Sequence, residues 1–294
     1  MALLWGVFCI ARICLAISSL DWYNKDSKNS KRGEDMEYSM IDSHAHYDDE
    51  QFEKDRDKLL TILPEVGIGL VVNVGASMES CKSTIALTKK YPHVYGALGV
   101  HPGSVEELNE DRFVWLSQAV RQEKIVAVGE IGLDYYYDEP DRQLQKDWFA
   151  RQISLAADVG LPMIIHSREA AQDTYDIMHS LGCEDVGGVI HCFSYSVEMA
   201  RKFLDMGFYL GLGGVVTFKN ARTVKEVAAY APMDRIVLET DCPYLSPVPY
   251  RGKRNSSLNL PYVAEAIAQI RDMDVEEVCR VTSENVRALY RLDS

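Results

Sequence analysis

The chain has 294 residues, 47% apolar and 26% charged, a balance that excludes disordered and fibrous chains. Its 31 basic and 44 acidic residues leave a formal charge of −13. That excludes coating of nucleic acid by bulk positive potential, but not an enzyme whose metal ions supply positive charge locally.

Residues 1–39 differ in character from the rest of the chain. An apolar stretch from Ala2 to Leu20, broken by Arg12, gives way to a polar tract from Asp21 to Asp35. A signal peptide would carry positive charge ahead of its apolar run, and here none precedes it, although Ala16 and Ser18 offer small residues near a cleavage point. A membrane span would be barely long enough and interrupted by an arginine. A translation start at Met36 or Met40 fits better, and no stable membrane association is expected. Fold reasoning therefore begins at Met40, with residues 40–294 as one domain.

From there a short apolar run, a polar residue and a longer amphipathic stretch recur. The runs are Met40–Ser43, Leu70–Val74, Tyr95–Val100, Ile125–Gly129, Pro162–Ile165, Gly187–Ile190, Phe208–Leu212 and Arg235–Leu238. Most are continuous Val/Ile/Leu runs, which suits parallel strands buried on both faces. Between them, Phe52, Leu59, Leu60, Leu63 and Val66 share one side of a helical pattern. Trp148, Phe149, Ile153, Leu155 and Ala156 share another, opened by Pro140-Asp141. Leu260–Arg271 and Val275–Leu289 close the chain as helices. Eight strands alternating with helices over a stretch of this length predict a (β/α)₈ TIM barrel, typically about 250 residues. An open doubly wound sheet is disfavoured because no Gly-rich turn follows the first strand.

Seven cysteines, odd in number and without paired-knuckle spacing, include Cys183, Cys192 and Cys242 in or beside these runs. They read as free, mostly buried thiols of a reducing, cytoplasmic compartment.

Five of the seven histidines fall at predicted strand ends: His44 and His46 after the first strand, His101 after the third, His166 after the fifth and His191 after the sixth. Glu130 ends the fourth, and Glu239 with Asp241 the eighth. In a barrel these ends converge on one face, where active sites are built. Singly, each histidine reads as a satisfied loop residue; together they form a set of imidazoles and carboxylates suited to borderline divalent cations. Six of them, His44, His46, Glu130, His166, His191 and Asp241, exceed the needs of one four-coordinate ion and suit two ions bridged by a carboxylate. Asp42, two residues before His44, either orients an imidazole or accepts from a neighbouring amide. Glu239 carries the same ambiguity. Arg168 offers a guanidinium fork for phosphate, or a loop salt bridge. Tyr135, Tyr136 and Tyr137 either stack on an unpaired base or cover the barrel top.

The residues also spell a family. Ile41-Asp42-Ser43-His44-Ala45-His46, Gly99-Val100-His101-Pro102, Gly129 to Tyr136, His166-Ser167-Arg168, His191-Cys192-Phe193-Ser194 and Leu238 to Leu245 resemble the signatures of the TatD family of metal-dependent deoxyribonucleases. The likeness runs in order from Met40 to about Leu292 and leaves out residues 1–39. It implies a TIM barrel of the amidohydrolase kind and two divalent ions (Mg, Mn, Zn or Co). One is expected on His44, His46 and Asp241 and the other on His166 and His191, with Glu130 bridging. It further implies that His101 contacts the scissile phosphate. Arg251-Gly252-Lys253-Arg254-Asn255 resembles a family segment that commonly continues Glu-Pro, where this chain has Ser256-Ser257.

Phosphodiester hydrolysis needs an activated water and a clamp on developing charge, which two bridged ions supply. Asp241 is the expected water-orienting base. Arg251, Lys253 and Arg254 would add positive charge at the mouth for substrate, although a solvated basic loop is the plainer reading. The expected partner is DNA, at single-stranded or frayed ends, acted on exonucleolytically by a monomer. An amidohydrolase acting on a cyclic amide, lactone or other ester is the nearest alternative. Many such enzymes bridge their metals with a carboxylated lysine from the fourth strand, where this chain has Glu130. A non-catalytic barrel would need a damaged ligand set, and none of the six positions is damaged.

Overall fold

The computed structural model describes residues 40–292, so the expected leader at residues 1–39 lies outside the described residues. Eight strands follow one another: β1 (Met40–Ala45), β2 (Ile68–Val74), β3 (Val94–Leu98), β4 (Ile125–Asp134), β5 (Met163–Arg168), β6 (Gly188–Ile190), β7 (Tyr209–Leu212) and β8 (Ile236–Leu238). Each pairs in parallel with the next. Just past β8 the ring closes on β1, where Asp241 N–H donates to His44 O (2.9 Å) and His46 N–H to Cys242 O (2.8 Å). The (β/α)₈ barrel expected from the run spacing is the observed fold.

The helices are α1 (Arg56–Ile62), α2 (Met78–Lys90), α3 (Glu110–Ala119), α4 (Arg142–Val159), α5 (Ala171–Ser180), α6 (Val197–Asp205), α7 (Arg222–Tyr230), α8 (Leu260–Arg271) and α9 (Val275–Tyr290). α4 shows why the pattern is readable. Asp141 caps its first turn by accepting from the Gln143 and Leu144 amides, Gly160 at φ 68° ends it, and Trp148, Phe149, Ile153, Leu155 and Ala156 are buried. The first expected helix is instead broken. Glu50–Phe52 is a single turn, α1 comes next, and Pro64 begins a second short turn that Gly67 ends at φ 90°. Phe52, Leu60 and Leu63 still reach the core, fully buried.

One apolar cluster gathers Ile41, Val72, Ala97, Ile164, Val189 and Val237 from the strands with Val286, Leu289 and Tyr290 from α9; a larger one packs the strands against the helices. No helix among the described residues is long and apolar enough to cross a membrane. All five described cysteines are free, and only Cys192 is other than buried.

Two strands outrun expectation. The apolar runs end β4 at Gly129 and β5 at Ile165, but the strands continue to Asp134 and Arg168, pairing Leu133 with Ser167 and Asp134 with Arg168. Their polar residues look like loop in sequence. The ladder survives because Gln145 caps it from α4, accepting from Asp134 N–H (2.9 Å) and donating to Asp134 O (3.1 Å). Gly132, at φ 147°, permits the close approach: a Cβ there would lie 1.9 Å from His166 O. Glu130 therefore sits inside a strand, and a raised β4–β5 lip borders the mouth.

Candidate metal centre

The strand ends bring His44, His46, His101, Glu130, His166, His191 and Asp241 into one cluster. Glu130 stands at its middle with its two oxygens facing different ligand sets. Oε2 lies 3.6 Å from His44 Nε2 and 3.8 Å from His46 Nε2. Oε1 lies 2.7 Å from His166 Nδ1 and 3.1 Å from His191 Nε2. Asp241 closes the first side, its Oδ1 3.3 Å from His46 Nε2 and 3.7 Å from His44 Nε2. Asp241 takes φ 53°, a left-handed conformation that aspartate tolerates better than most residues.

The outer nitrogens assign most of the tautomers. His46 Nδ1 lies 2.8 Å from the Val74 carbonyl, which can only accept, so Nδ1 carries hydrogen and Nε2 is free to ligate. His166 turns its Nε2 to Asp134 Oδ2 (3.3 Å), a carboxylate–imidazole support of the kind that orients metal ligands. His191 has Nδ1 3.4 Å from Glu239 Oε1, an oxygen that accepts its hydrogen bond from Cys192 N–H (2.6 Å). His101 has the opposite polarity: Gly103 N–H donates to its Nδ1 (2.9 Å), so a neutral ring keeps its proton on Nε2. Nε2 points into the cluster 3.9 Å from Glu130 Oε1. Burial and the neighbouring His166 push the His101 pKa down to about 4, against the pull of Glu130 and Asp134. A neutral donor results.

These residues fit divalent ions. Two nitrogens each about 2.1 Å from one ion lie about 3.0–3.4 Å apart, and His44 Nε2 is 3.1 Å from His46 Nε2. Three groupings bring ligand atoms within 4.8 Å of one another: His44, His191 and Asp241; His44, His46 and Glu130; and His101, Glu130 and His166. The groupings overlap, and His191 stacks on His44 (3.9 Å between centroids), so its ring lies between the two sides. His101 has ligand distance, but its Nδ1 acceptor role leaves a proton on the nitrogen that would bind. Without ions, burial opposes charge on His46, yet Asp241 and Glu130 raise its pKa to about 9. Burial likewise opposes ionisation of Glu130 and Asp241, but the imidazoles around each hold both below the ordinary carboxylate range.

The remaining site residues divide. Asp42 does not orient an imidazole: it accepts from the Thr240 amide (3.0 Å), the Thr240 and Ser257 hydroxyls (2.6 Å each) and the His44 amide (3.4 Å). The strict alternation that would put Asp42 beside the rings fails because the β1–β2 register shifts between Asp42 and Ala45. Arg254 is no free cation, for it pairs with Asp55 (2.6 Å) and donates to Gln51 O (2.6 Å). Arg251 and Lys253 are exposed, lying over the Phe218 and Tyr250 rings. Arg168 forms no loop salt bridge; it lies on β5 with its guanidinium over Tyr136. Nor do the three tyrosines cover the barrel together, since Tyr136 and Tyr137 are exposed and only Tyr135 packs inward. Asp134 was missed. Its signal was present, four residues after Glu130 and hence on the same face of any strand that continued.

A family profile described as TatD related DNase matches residues 41–291. The chain belongs to the TatD family of metal-dependent hydrolases. The metal-dependent hydrolase YabD of Bacillus subtilis is 41% identical over 86% of this chain and 100% of its own length. YcfH of Escherichia coli is 35% identical over 87% of this chain and 97% of its own. Among solved structures, the TatD homolog YjjV of E. coli superposes with a TM-score of 0.82 at 30% identity, covering 86% of this chain and 98% of that one. The E. coli phosphotriesterase homology protein, complexed with phosphate in its active site, superposes at 0.63 with 14% identity, covering 86% and 99%, a likeness of fold alone.

Proposed function

We propose that this TatD-family hydrolase cleaves phosphodiesters at single-stranded or frayed DNA ends, and that His44, His46, Glu130, His166, His191 and Asp241 would hold two divalent ions. The observation that carries the reading is the orientation of the Glu130 carboxylate, one oxygen toward His44 and His46 and the other toward His166 and His191. Bound divalent ions would neutralise phosphoryl oxygens and make water nucleophilic near neutral pH. The protein's own residues do the rest. Asp241, kept ionised by its imidazole neighbours, orients the attacking water and accepts its proton. His101, neutral above about pH 4, donates from Nε2 to a phosphoryl oxygen as charge builds there. The cluster lies at the end of the barrel and is largely buried, so a strand terminus reaches it more readily than the middle of a duplex.

The test is metal-reconstituted protein on 5′- and 3′-labelled single- and double-stranded DNA with Mg²⁺, Mn²⁺, Zn²⁺ or Co²⁺. The expected result is stepwise shortening of single strands from one end. Inertness toward every strand with all four ions would remove the nuclease reading.

A further inference from the structure

Tyr136, Tyr137 and Arg168 stand together on the β4–β5 lip, and nothing in the hydrolytic scheme uses them. Both tyrosines are more than half exposed, at 53% and 58%. Their rings meet edge to face with centroids 4.9 Å apart. The Arg168 guanidinium lies 3.7 Å from the Tyr136 centroid and 5.6 Å from that of Tyr137. Tyr135 does not belong to the group: its hydroxyl donates to Asp173 (2.7 Å) and Arg142 covers its ring.

Three features mark this cluster as built. First, it is held to the metal centre through one carboxylate. Asp134 Oδ2 supports His166 while its Oδ1 accepts from the Tyr136 amide (3.0 Å), so the platform and the ligand share a fixed reference. The Tyr135 amide also donates to Arg168 O (2.9 Å), locking the end of β4 to the end of β5. Second, Arg168 has no carboxylate within ion-pair distance among the described residues. An arginine stacked flat on a ring keeps its in-plane N–H edge open for an anion. Third, both rings stay more than half exposed beside the polar centre even with Arg168 over Tyr136.

We propose that Tyr136, Tyr137 and Arg168 form a second subsite, which holds the unpaired nucleotide next to the scissile phosphate by stacking its base and neutralising its phosphate. The assignment rests on the nuclease reading and sharpens it. A base in a duplex has both faces occupied and cannot lie on this platform, so the subsite selects unpaired ends. A small ester carries neither a base nor a second phosphate and gains nothing from it.

The experiment uses metal-loaded protein and a single-stranded dodecamer with one abasic residue walked through the three positions nearest each end. Base–aromatic stacking predicts that the wild type prefers the base-bearing strand by roughly tenfold in kcat/KM at one position beside the cut. Tyr136→Ala should bring that ratio close to one, and Tyr136→Phe, which keeps the ring, should preserve it. In parallel, anisotropy of fluorescein-labelled dT10 with metal-free protein reads binding without turnover. Tyr136→Ala and Arg168→Gln should each weaken it about tenfold, with Arg168→Gln also flattening its salt dependence. Unfolding temperatures check that the variants fold. Wild-type base preference and wild-type dT10 affinity in both variants would overturn the subsite. A wild type that binds dT10 through these residues yet cleaves no strand would instead overturn the nuclease reading.

Discussion

The two sides of the metal centre are built differently. On the β1–β8 side, His44 and His46 are 1% and 9% exposed, and a buried layer of Asp42, Thr240, Ser257 and Tyr47 stands behind them. On the other side the His166 and His191 side chains are 16% and 4% exposed, and besides Glu130 each has a single carboxylate near its outer nitrogen, Asp134 at 3.3 Å and Glu239 at 3.4 Å. A buried ligand pair whose backbone is fixed from behind loses little freedom when an ion binds, whereas a more open one must be ordered by it. The closed side should hold its ion tightly. The open side, which carries the Tyr136–Arg168 lip, should exchange its ion and meet the substrate.

The largest effect should come from the group common to both sides. Glu130→Gln removes the charge that faces both ligand sets, so elemental analysis should find both ions depleted and turnover down by a thousandfold or more, on the order of removing a strong electrostatic contribution from each side. Full retention of either ion with lost activity would mean that Glu130 is not shared. His101→Ala should lower turnover by about a hundredfold while both ions stay bound, because the hydrogen bond from Gly103 leaves the inward nitrogen protonated. Loss of an ion in that variant would turn His101 into a ligand. Asp134→Asn should act on one side only, weakening one ion by about 10- to 100-fold in a competition titration and leaving the other in place. Equal weakening of both would erase the distinction between the sides.

The closed side was also the more legible in sequence. The His44-x-His46 pair, Asp241 and the strand bearing them were all readable, because apolar runs mark strands buried on both faces and polar residues at their ends mark the mouth. α8 was found at its observed bounds because Pro261 and the apolar face agree. The open side was hidden by composition. Glu130-Ile131-Gly132-Leu133-Asp134 looks like the exit from a strand, and its extension depends on Gln145, which reaches back from the next helix. The ion pair of Arg254 with Asp55 spans 199 positions, a separation no local pattern reports. Of the two roles open to Asp42, it takes that of amide acceptor, and β1 shifts register where the site begins, so period two did not decide between them.

The smallest effect tests the layer behind the closed side, at Ser257. Ser257 donates to Asp42 (2.6 Å), and the Tyr47 hydroxyl donates to Ser257 (2.9 Å). Ser257→Ala strips one donor from a buried carboxylate and leaves a buried phenol short of a partner, at a cost of about 1–3 kcal/mol. Turnover should fall by only a few-fold, since no ligand is touched. The pH dependence identifies the cause. Burial raises the Asp42 pKa from its ordinary 3.8 to about 6, with the Ser257 and Thr240 hydrogen bonds restraining it. The folded carboxyl therefore binds its proton more tightly than the unfolded one, so stability contributed by Asp42 is present below pH 3.8 and lost as pH rises through about 6. Losing Ser257 raises the folded pKa further and extends that loss to higher pH. In metal-free protein, the gap in unfolding temperature between wild type and Ser257→Ala should widen from pH 5 to pH 8. A gap that stays constant would mean that Ser257 supports Asp42 through packing and not through its charge.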